Sequence, residues 1–170
     1  MEKYRLVDLF CGAGGLSLGF EETGRFQLVG ALEHWGPAVD TFLYNRPSFN
    51  KEAMIQDDAS VIFTKEFDAR SKDIWESCGP VNIVIGGPPC QGLSLAGKRI
   101  TEDSRNQLFR AFVAAVDKLR PDVFVMENVP GLLSMMNGKL NLAIISSFQE
   151  IGYTSFIDYN PLILKAEDYG

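Results

Sequence analysis

The stretch Val81-Asn82-Ile83-Val84-Ile85-Gly86-Gly87-Pro88-Pro89-Cys90-Gln91-Gly92 constrains the fold more than any other part of the chain. Val81 to Ile85 is short, apolar and largely β-branched, the pattern of a buried strand. Two glycines and two prolines end it at once. Glycine opens φ/ψ space that other residues avoid, and proline cannot continue a hydrogen-bonded ladder. Cys90 therefore follows on a stiff loop at the carboxyl end of a buried strand, which is where open α/β sheets bind ligands. Two readings of Cys90 stand at this point: a catalytic thiol, or an inert buried cysteine.

The N-terminal third supplies a second α/β signal. Arg5 to Phe10 reads as a strand, and Cys11-Gly12-Ala13-Gly14-Gly15-Leu16-Ser17 as a glycine-rich turn opening a helix to about Gly24. Strand, glycine turn and helix together make a Rossmann-like unit whose backbone N–H groups can approach a ligand closely. The dinucleotide pattern G-x-G-x-x-G is not met, because Ser17 stands where the third glycine belongs. A tight strand–helix connection is the alternative. Phe26 to Glu33 is a second strand ending in a carboxylate, placed either to accept hydrogen bonds from ribose hydroxyls or simply to face solvent. His34 and Trp35 follow and can pack on an adenine ring. Met54 to Gln56 is a short third strand with Asp57 and Asp58 at its end; Asp58 binds a ligand amino group or caps the next helix.

Beyond Cys90, Gly92 to Arg105 is a polar loop carrying Lys98, Arg99 and Arg105, long enough for a lid, with a solvated loop as the alternative. Gln107 to Leu119 spaces Leu108, Phe109, Phe112, Val113, Val116 and Leu119 as one helical face, and Pro121 stops it. Val123 to Met126 is another buried strand, with Glu127 and Asn128 at its end. If this strand neighbours the one before Cys90, Glu127 and Cys90 can face each other across a cleft. Lys139 to Ile151 reads as a helix stopped by Gly152, and Tyr153 to Tyr159 as a last strand.

Composition narrows the class. A chain of 170 residues, 46% hydrophobic, can bury a sizeable core. It shows no repeat, low-complexity tract or linker, so the expectation is one domain over 1–170. No apolar run reaches the length of a membrane span, and Met-Glu-Lys-Tyr-Arg leads into a strand without a signal-peptide core. Three scattered cysteines, Cys11, Cys78 and Cys90, make no disulfide framework and point to a reducing cytoplasm. A single histidine and no cysteine pair leave no zinc site. A net charge of −6 argues against a generic basic nucleic-acid binder but leaves a local basic face open.

Asp8-Leu9-Phe10-Cys11-Gly12-Ala13-Gly14-Gly15-Leu16-Ser17, Glu33, Gly86-Gly87-Pro88-Pro89-Cys90-Gln91-Gly92-Leu93-Ser94, Asp103-Ser104-Arg105 and Glu127-Asn128-Val129 occur in that order. In motif, order and spacing the chain resembles the DNA cytosine-C5 methyltransferases of bacterial type. The resemblance implies an α/β, Rossmann-like S-adenosylmethionine-dependent methyltransferase fold: a mostly parallel sheet in a three-layer α/β/α arrangement, incomplete at the C-terminus. It implies S-adenosylmethionine as methyl donor and double-stranded DNA with a flipped cytosine as substrate. Cys90 becomes the nucleophile at cytosine C6, Glu127 the acid at N3, and Asn128 a support for the loop.

By the same resemblance, Phe10, Gly12, Ala13 and Gly15 lie along the methionine and sugar of the cofactor. Glu33 meets the ribose, His34 the adenine face, and Asp58 and Ala59 the adenine edge. Pro89, which also presses Cys90 into place, and Leu108 complete the pocket. Gln91, Ser94, Lys98, Arg99 and Arg105 fall on the DNA-facing loop, Ser94 and Arg105 near phosphates. The family continues past Gly170 with an arginine-bearing strand, a target-recognition domain and a C-terminal helix. The chain is thus expected to be the front part of the catalytic domain, completed by more of the same chain or by a complementary C-terminal polypeptide in the bacterial cytoplasm or nucleoid. A module that binds cofactor or partner without catalysis, and an RNA-directed member of the same chemistry, are the competing readings.

Overall fold

A computed structural model describes residues 2–59, 76, 78–89, 107–154 and 163–169. Among these residues the apolar runs become five strands: β1 (Tyr4–Leu9), β2 (Phe26–Glu33), β3 (Met54–Gln56), β4 (Ile83–Gly86) and β5 (Val123–Met126). They form one sheet in the order β3-β2-β1-β4-β5, and every pairing is parallel. Parallel neighbours need crossovers, and these are helices: α1 (Gly15–Glu22) and α2 (Gly36–Asn45) on one side of the chain order, α3 (Gln107–Leu119) between β4 and β5.

The order steps outward from β1 in both directions, and right-handed crossovers then place the helices on opposite faces. Packing agrees. Leu6, Leu28, Ala31, Ile83 and Ile85 share one cluster with Leu16 and Phe20 of α1 and Phe42 of α2. The alternate residues Val7, Leu9 and Val84 are fully buried on the other face, where Phe112 of α3 packs edge-on against Phe124. The result is the Rossmann-like three-layer arrangement that the sequence implied.

One irregularity decides which way a site residue points. Leu6 pairs with Leu28 but Val7 pairs with Gly30, so Val29 is an extra residue in β2. A one-residue slip reverses the face of every later side chain. Ala31 consequently joins Leu28 on the α1 face, and Glu33 follows Ala31 onto it. The extra carbonyl, Val29 O, accepts from the Cys78 thiol at 3.0 Å.

Most expected boundaries hold to within a residue or two. The first strand ends at Leu9 because Phe10 turns to φ +58°. The strand before Cys90 begins at Ile83 instead of Val81. Helix α2 was not foreseen: Gly36-Pro37 reads as a breaker pair, yet proline is well tolerated in a first helical turn, where its missing N–H has no acceptor to lose. Of the expected last strand, Tyr153 and Thr154 are irregular and the rest lies outside the described residues.

Among the described residues one compact unit ends at Asn128 and a second begins at Val129. The second holds a kinked 3-10 segment, Pro130–Gly138, and α4 (Lys139–Glu150). Leu140, Ile144 and Phe148 are the buried stripe of α4, and Gly152 at φ +93° lets Tyr153 N reach back to Phe148 O. No helix among the described residues is long and apolar enough to cross a membrane.

Gly86 packs closely against β1 and α3. A Cβ there would stand 2.2 Å from Leu9 O and 3.1 Å from a Phe112 ring carbon. Gly86→Ala should therefore destabilise by about 3 kcal/mol, the upper end of ordinary overpacking. Gly19→Ala, inside α1 with nothing within 4 Å of the new methyl, should instead stabilise by about 0.5–1 kcal/mol. Urea unfolding of the two variants checks this; equal effects would contradict the packing described.

Candidate active site

The carboxyl ends of all five strands line one edge of the sheet. Across that edge lie Asp58 beyond β3, Glu33 on β2, the glycine turn after β1, Gly87–Pro89 after β4, and Glu127–Asn128 after β5.

The glycine turn is built from backbone conformations that side chains disfavour. Phe10, Gly12 and Gly14 have φ of +58°, +54° and +88°. Only the first is not glycine, so Phe10 holds strain of the order of 1 kcal/mol at the mouth of the turn. The turn closes with Gly14 N donating to Cys11 O at 2.8 Å, while Cys11 N donates to Leu32 O at 3.0 Å and ties it to β2. A Cβ added at Gly12 or Gly15 would meet nothing within 4 Å, so open space fronts both.

Glu33 joins the turn to β2. Its Oε2 accepts from Gly12 N (3.0 Å), and its Oε1 from His34 N (3.0 Å) and Trp35 N (2.8 Å). The residue is buried, whereas His34 and Trp35 beside it are exposed. A carboxylate has about four acceptor positions, and backbone takes three of them. A diol that engages both oxygens must share with these donors or displace one.

At the other half of the edge, β4 and β5 are neighbours, with Gly86 opposite Met126. Glu127 N donates to Gly86 O (2.9 Å), and Asn128 Nδ2 donates to Pro88 O (2.9 Å). A Cβ at Gly87 would lie 2.9 Å from Glu127 Oε2, so the absent side chain of Gly87 makes room for that carboxylate. Glu127 is exposed, Pro88 buried and Pro89 exposed. Asp58 is exposed with its N–H on Asp57 Oδ1 (2.7 Å), Ala59 is buried, and Leu108 is half-buried on α3. Cys90, Gln91, Ser94, Lys98, Arg99 and Arg105 lie outside the described residues.

The two described cysteines sit where a thiol is unreactive. Burial pushes the Cys11 thiol far up, with Asp8 and Glu33 adding to it. Burial also raises Cys78, which donates to Val29 O.

Three residues to which the sequence assigned no role in the site support the turn. Asp8, in the middle of β1, is buried beside Ser17, and its Oδ2 has no hydrogen-bond partner. Burial pushes its carboxyl up to about 6, partly offset by hydrogen bonds from Ser17. Ser17, where a third glycine was expected, is fully buried with Oγ 3.3 Å from Gly14 O. Arg46, from the end of α2, reaches the carbonyls of Ala13 and Gly14. An acid inside an apolar strand was the readable signal for Asp8; nothing in the local pattern marked Arg46.

A parallel sheet of this order, with a glycine turn after β1 and an acid closing β2, is the Rossmann-like arrangement, common to dinucleotide-binding proteins and to S-adenosylmethionine-dependent methyltransferases. A crystal structure of a prophage-encoded E. coli protein described as a DNA modification methyltransferase matches with a TM-score of 0.68 and 32% identity, over 87% of this chain and 38% of that one. The family model for C-5 cytosine-specific DNA methylases matches residues 4–170, and the chain belongs to that family. The type II methyltransferase M.XorII of Xanthomonas oryzae pv. oryzae is 40% identical over 168 residues, covering 96% of this chain and 37% of its own length. M.AgeI of Thalassovita gelatinovora is 37% identical over 166 residues, covering 98% and 36%. The chain thus spans a little over a third of the length of these relatives.

Asp8 makes stability depend on pH. Its folded value of about 6 lies above the ordinary 3.8, so the folded state holds the proton that the unfolded state releases first. Stability from this group is complete below pH 4 and lost as pH rises through 6, about 3 kcal/mol in all. Asp8→Asn should therefore gain on the unmodified protein between pH 4 and 6 and keep a constant advantage above. Denaturant midpoints across that range measure it; a difference flat with pH would show that Asp8 does not titrate there.

Proposed function

We propose that this chain carries the reaction centre for methylation of cytosine at C5 in DNA, with S-adenosylmethionine as donor. The observation that carries the reading is the seat of Glu127. Its carboxylate lies against Gly87, three residues before Cys90, and Asn128 ties the same loop to β5.

The turn fits the cofactor. Open space fronts Gly12 and Gly15, Glu33 offers the acceptor that ribose hydroxyls need, and His34 and Trp35 stand exposed beside it. Phe10, Ala13, Asp58, Ala59, Pro89 and Leu108 would complete the pocket. When bound, S-adenosylmethionine supplies an electrophilic methyl group on a sulfonium.

Cytosine C5 is a weak nucleophile until the ring's aromaticity is broken. Cys90 as thiolate adds to C6, forming a C–S bond, and the displaced electron pair moves into the ring. Glu127 bonds N3 and neutralises the charge that gathers there, which leaves C5 enamine-like. C5 uses that electron pair for a bond to the donated methyl and becomes tetrahedral, still holding its proton; loss of that proton to water then expels the Cys90 sulfur as thiolate and restores the ring. The base must leave the duplex for this, and Gln91, Ser94, Lys98, Arg99 and Arg105 are proposed to hold the DNA around it. The burial that makes Cys11 and Cys78 inert supports assigning the nucleophile to Cys90.

Target recognition is proposed to need what the relatives carry beyond the matched third, as further chain or as a complementary polypeptide. Such relatives bear the name type II methyltransferase, and a cytoplasmic restriction–modification role is the corresponding proposal here.

DNA containing 5-fluorocytosine tests the mechanism, because fluorine at C5 cannot leave as a proton and the adduct persists. With donor present, the intact protein should form a denaturant-stable complex. Cys90→Ser should form none, and Glu127→Gln should trap at least roughly 100-fold more slowly. Equal trapping by Cys90→Ser would remove Cys90 from the reaction.

A further inference from the structure

Arg46 is the C-terminal cap of α2, at the far end of that helix from the site edge, yet its side chain is only 10% exposed. Its guanidinium passes 4.4 Å above the Phe42 ring and reaches under the glycine turn. Nη2 donates to Gly14 O at 2.6 Å and to Ser17 Oγ at 3.4 Å, Nη1 to Ala13 O at 3.5 Å, and Nε to Glu21 Oε2 at 3.2 Å. A planar fork with five fixed donors suits such a set of carbonyls, and Glu21 of α1 balances its charge.

Two features tie this clamp to ligand binding. In a trans peptide the C=O and N–H point in opposite directions. Gly14 O accepts from Leu18 N of α1 at 3.0 Å as well as from Arg46, and with that carbonyl held from both sides Gly15 N–H points away from them; Gly15 is exposed, and a Cβ there would meet nothing within 4 Å. The clamp also needs residue 14 bare: a Cβ there would fall 2.3 Å from Arg46 Nη1 and 2.7 Å from Phe42 Cδ2. Gly14 and Arg46 are thus one device, distant in sequence and interlocked in space.

We infer that Arg46 is a positioning residue for the cofactor turn, fixing the Gly14–Gly15 peptide so that Gly15 N–H faces the bound donor. This rests on the proposal that S-adenosylmethionine occupies the turn. Arg46 itself touches no ligand; it reduces the motion that the turn would otherwise lose on binding.

The test uses S-adenosylhomocysteine and the intact protein. Calorimetry gives the affinity, and amide exchange without ligand gives the protection of Gly14 N–H, which closes the turn on Cys11 O. Arg46→Met keeps the stem over Phe42 but removes the fork; it should weaken binding roughly tenfold and speed Gly14 exchange, with exchange at Leu6 and Val84 in the sheet unchanged. Arg46→Lys keeps charge and stem with a single ammonium, and should fall between the two. If Arg46→Met fails to fold, the lysine variant decides by the same pair of readings. Affinity and Gly14 exchange equal to the unmodified protein, in a variant whose melting temperature alone drops, would overturn the inference and leave Arg46 a structural residue. Failure of the unmodified protein to bind S-adenosylhomocysteine would instead overturn the cofactor proposal, and Gly14 exchange would still report on the clamp.

Discussion

The Glu33 carboxylate is the interaction on which the site depends. It accepts backbone N–H groups from the glycine turn on one side and from the chain leaving β2 on the other. Charge-assisted bonds of this kind are roughly twice as strong as neutral ones, and a buried acceptor removed would leave three donors unpaired. The bond to Gly12 N holds the turn open at a defined distance from β2, so the cradle stands before any ligand arrives. Preorganisation of this sort lowers the entropy lost on binding. Its orientation comes from farther back: were Val29 paired with Val7 in regular register instead of bulged out, Glu33 would point to the opposite face of the sheet.

The other half of the edge is arranged by glycine. Gly86 lets β4 lie close to β1 and α3, and Gly87 leaves space for the Glu127 carboxylate. Glycine here permits contact between backbones and a side chain; neither residue has a positive φ. The parallel pairing of β4 and β5 then brings two loops together that are forty residues apart, joined by Asn128 to Pro88. Gly86 and Pro88 are thereby both tied to the residues that follow β5.

Sequence alone showed the alternation of strands and helices, because buried parallel strands are short β-branched runs and α3 has a strong apolar face. It also showed that Glu33 and Glu127 close their strands. What it did not show were features set by tertiary packing. Helix α2 begins with Gly36-Pro37, which locally resembles a turn. The Val29 bulge leaves no mark in a run of apolar residues where either register buries something. Arg46 follows Asn45 in what reads as a polar loop, and only the fold brings it beneath Gly14. Asp8 was legible as an oddity, a carboxyl in a buried strand, but its partner Ser17 lies a turn and half a helix away. Such residues answer to neighbours that are distant in sequence, and no local periodicity encodes them.

On the proposed function, the carboxyl ends of β1 and β2 are one cradle, formed before the methyl donor binds. A crystal structure of the intact protein with S-adenosylhomocysteine decides whether this is so. The ligand should lie against Gly12–Gly15 with its ribose hydroxyls on the Glu33 carboxylate, and the glycine turn should keep its unliganded conformation. A ligand bound away from the carboxyl ends of β1 and β2, or a turn rebuilt around it, would show that no such cradle exists.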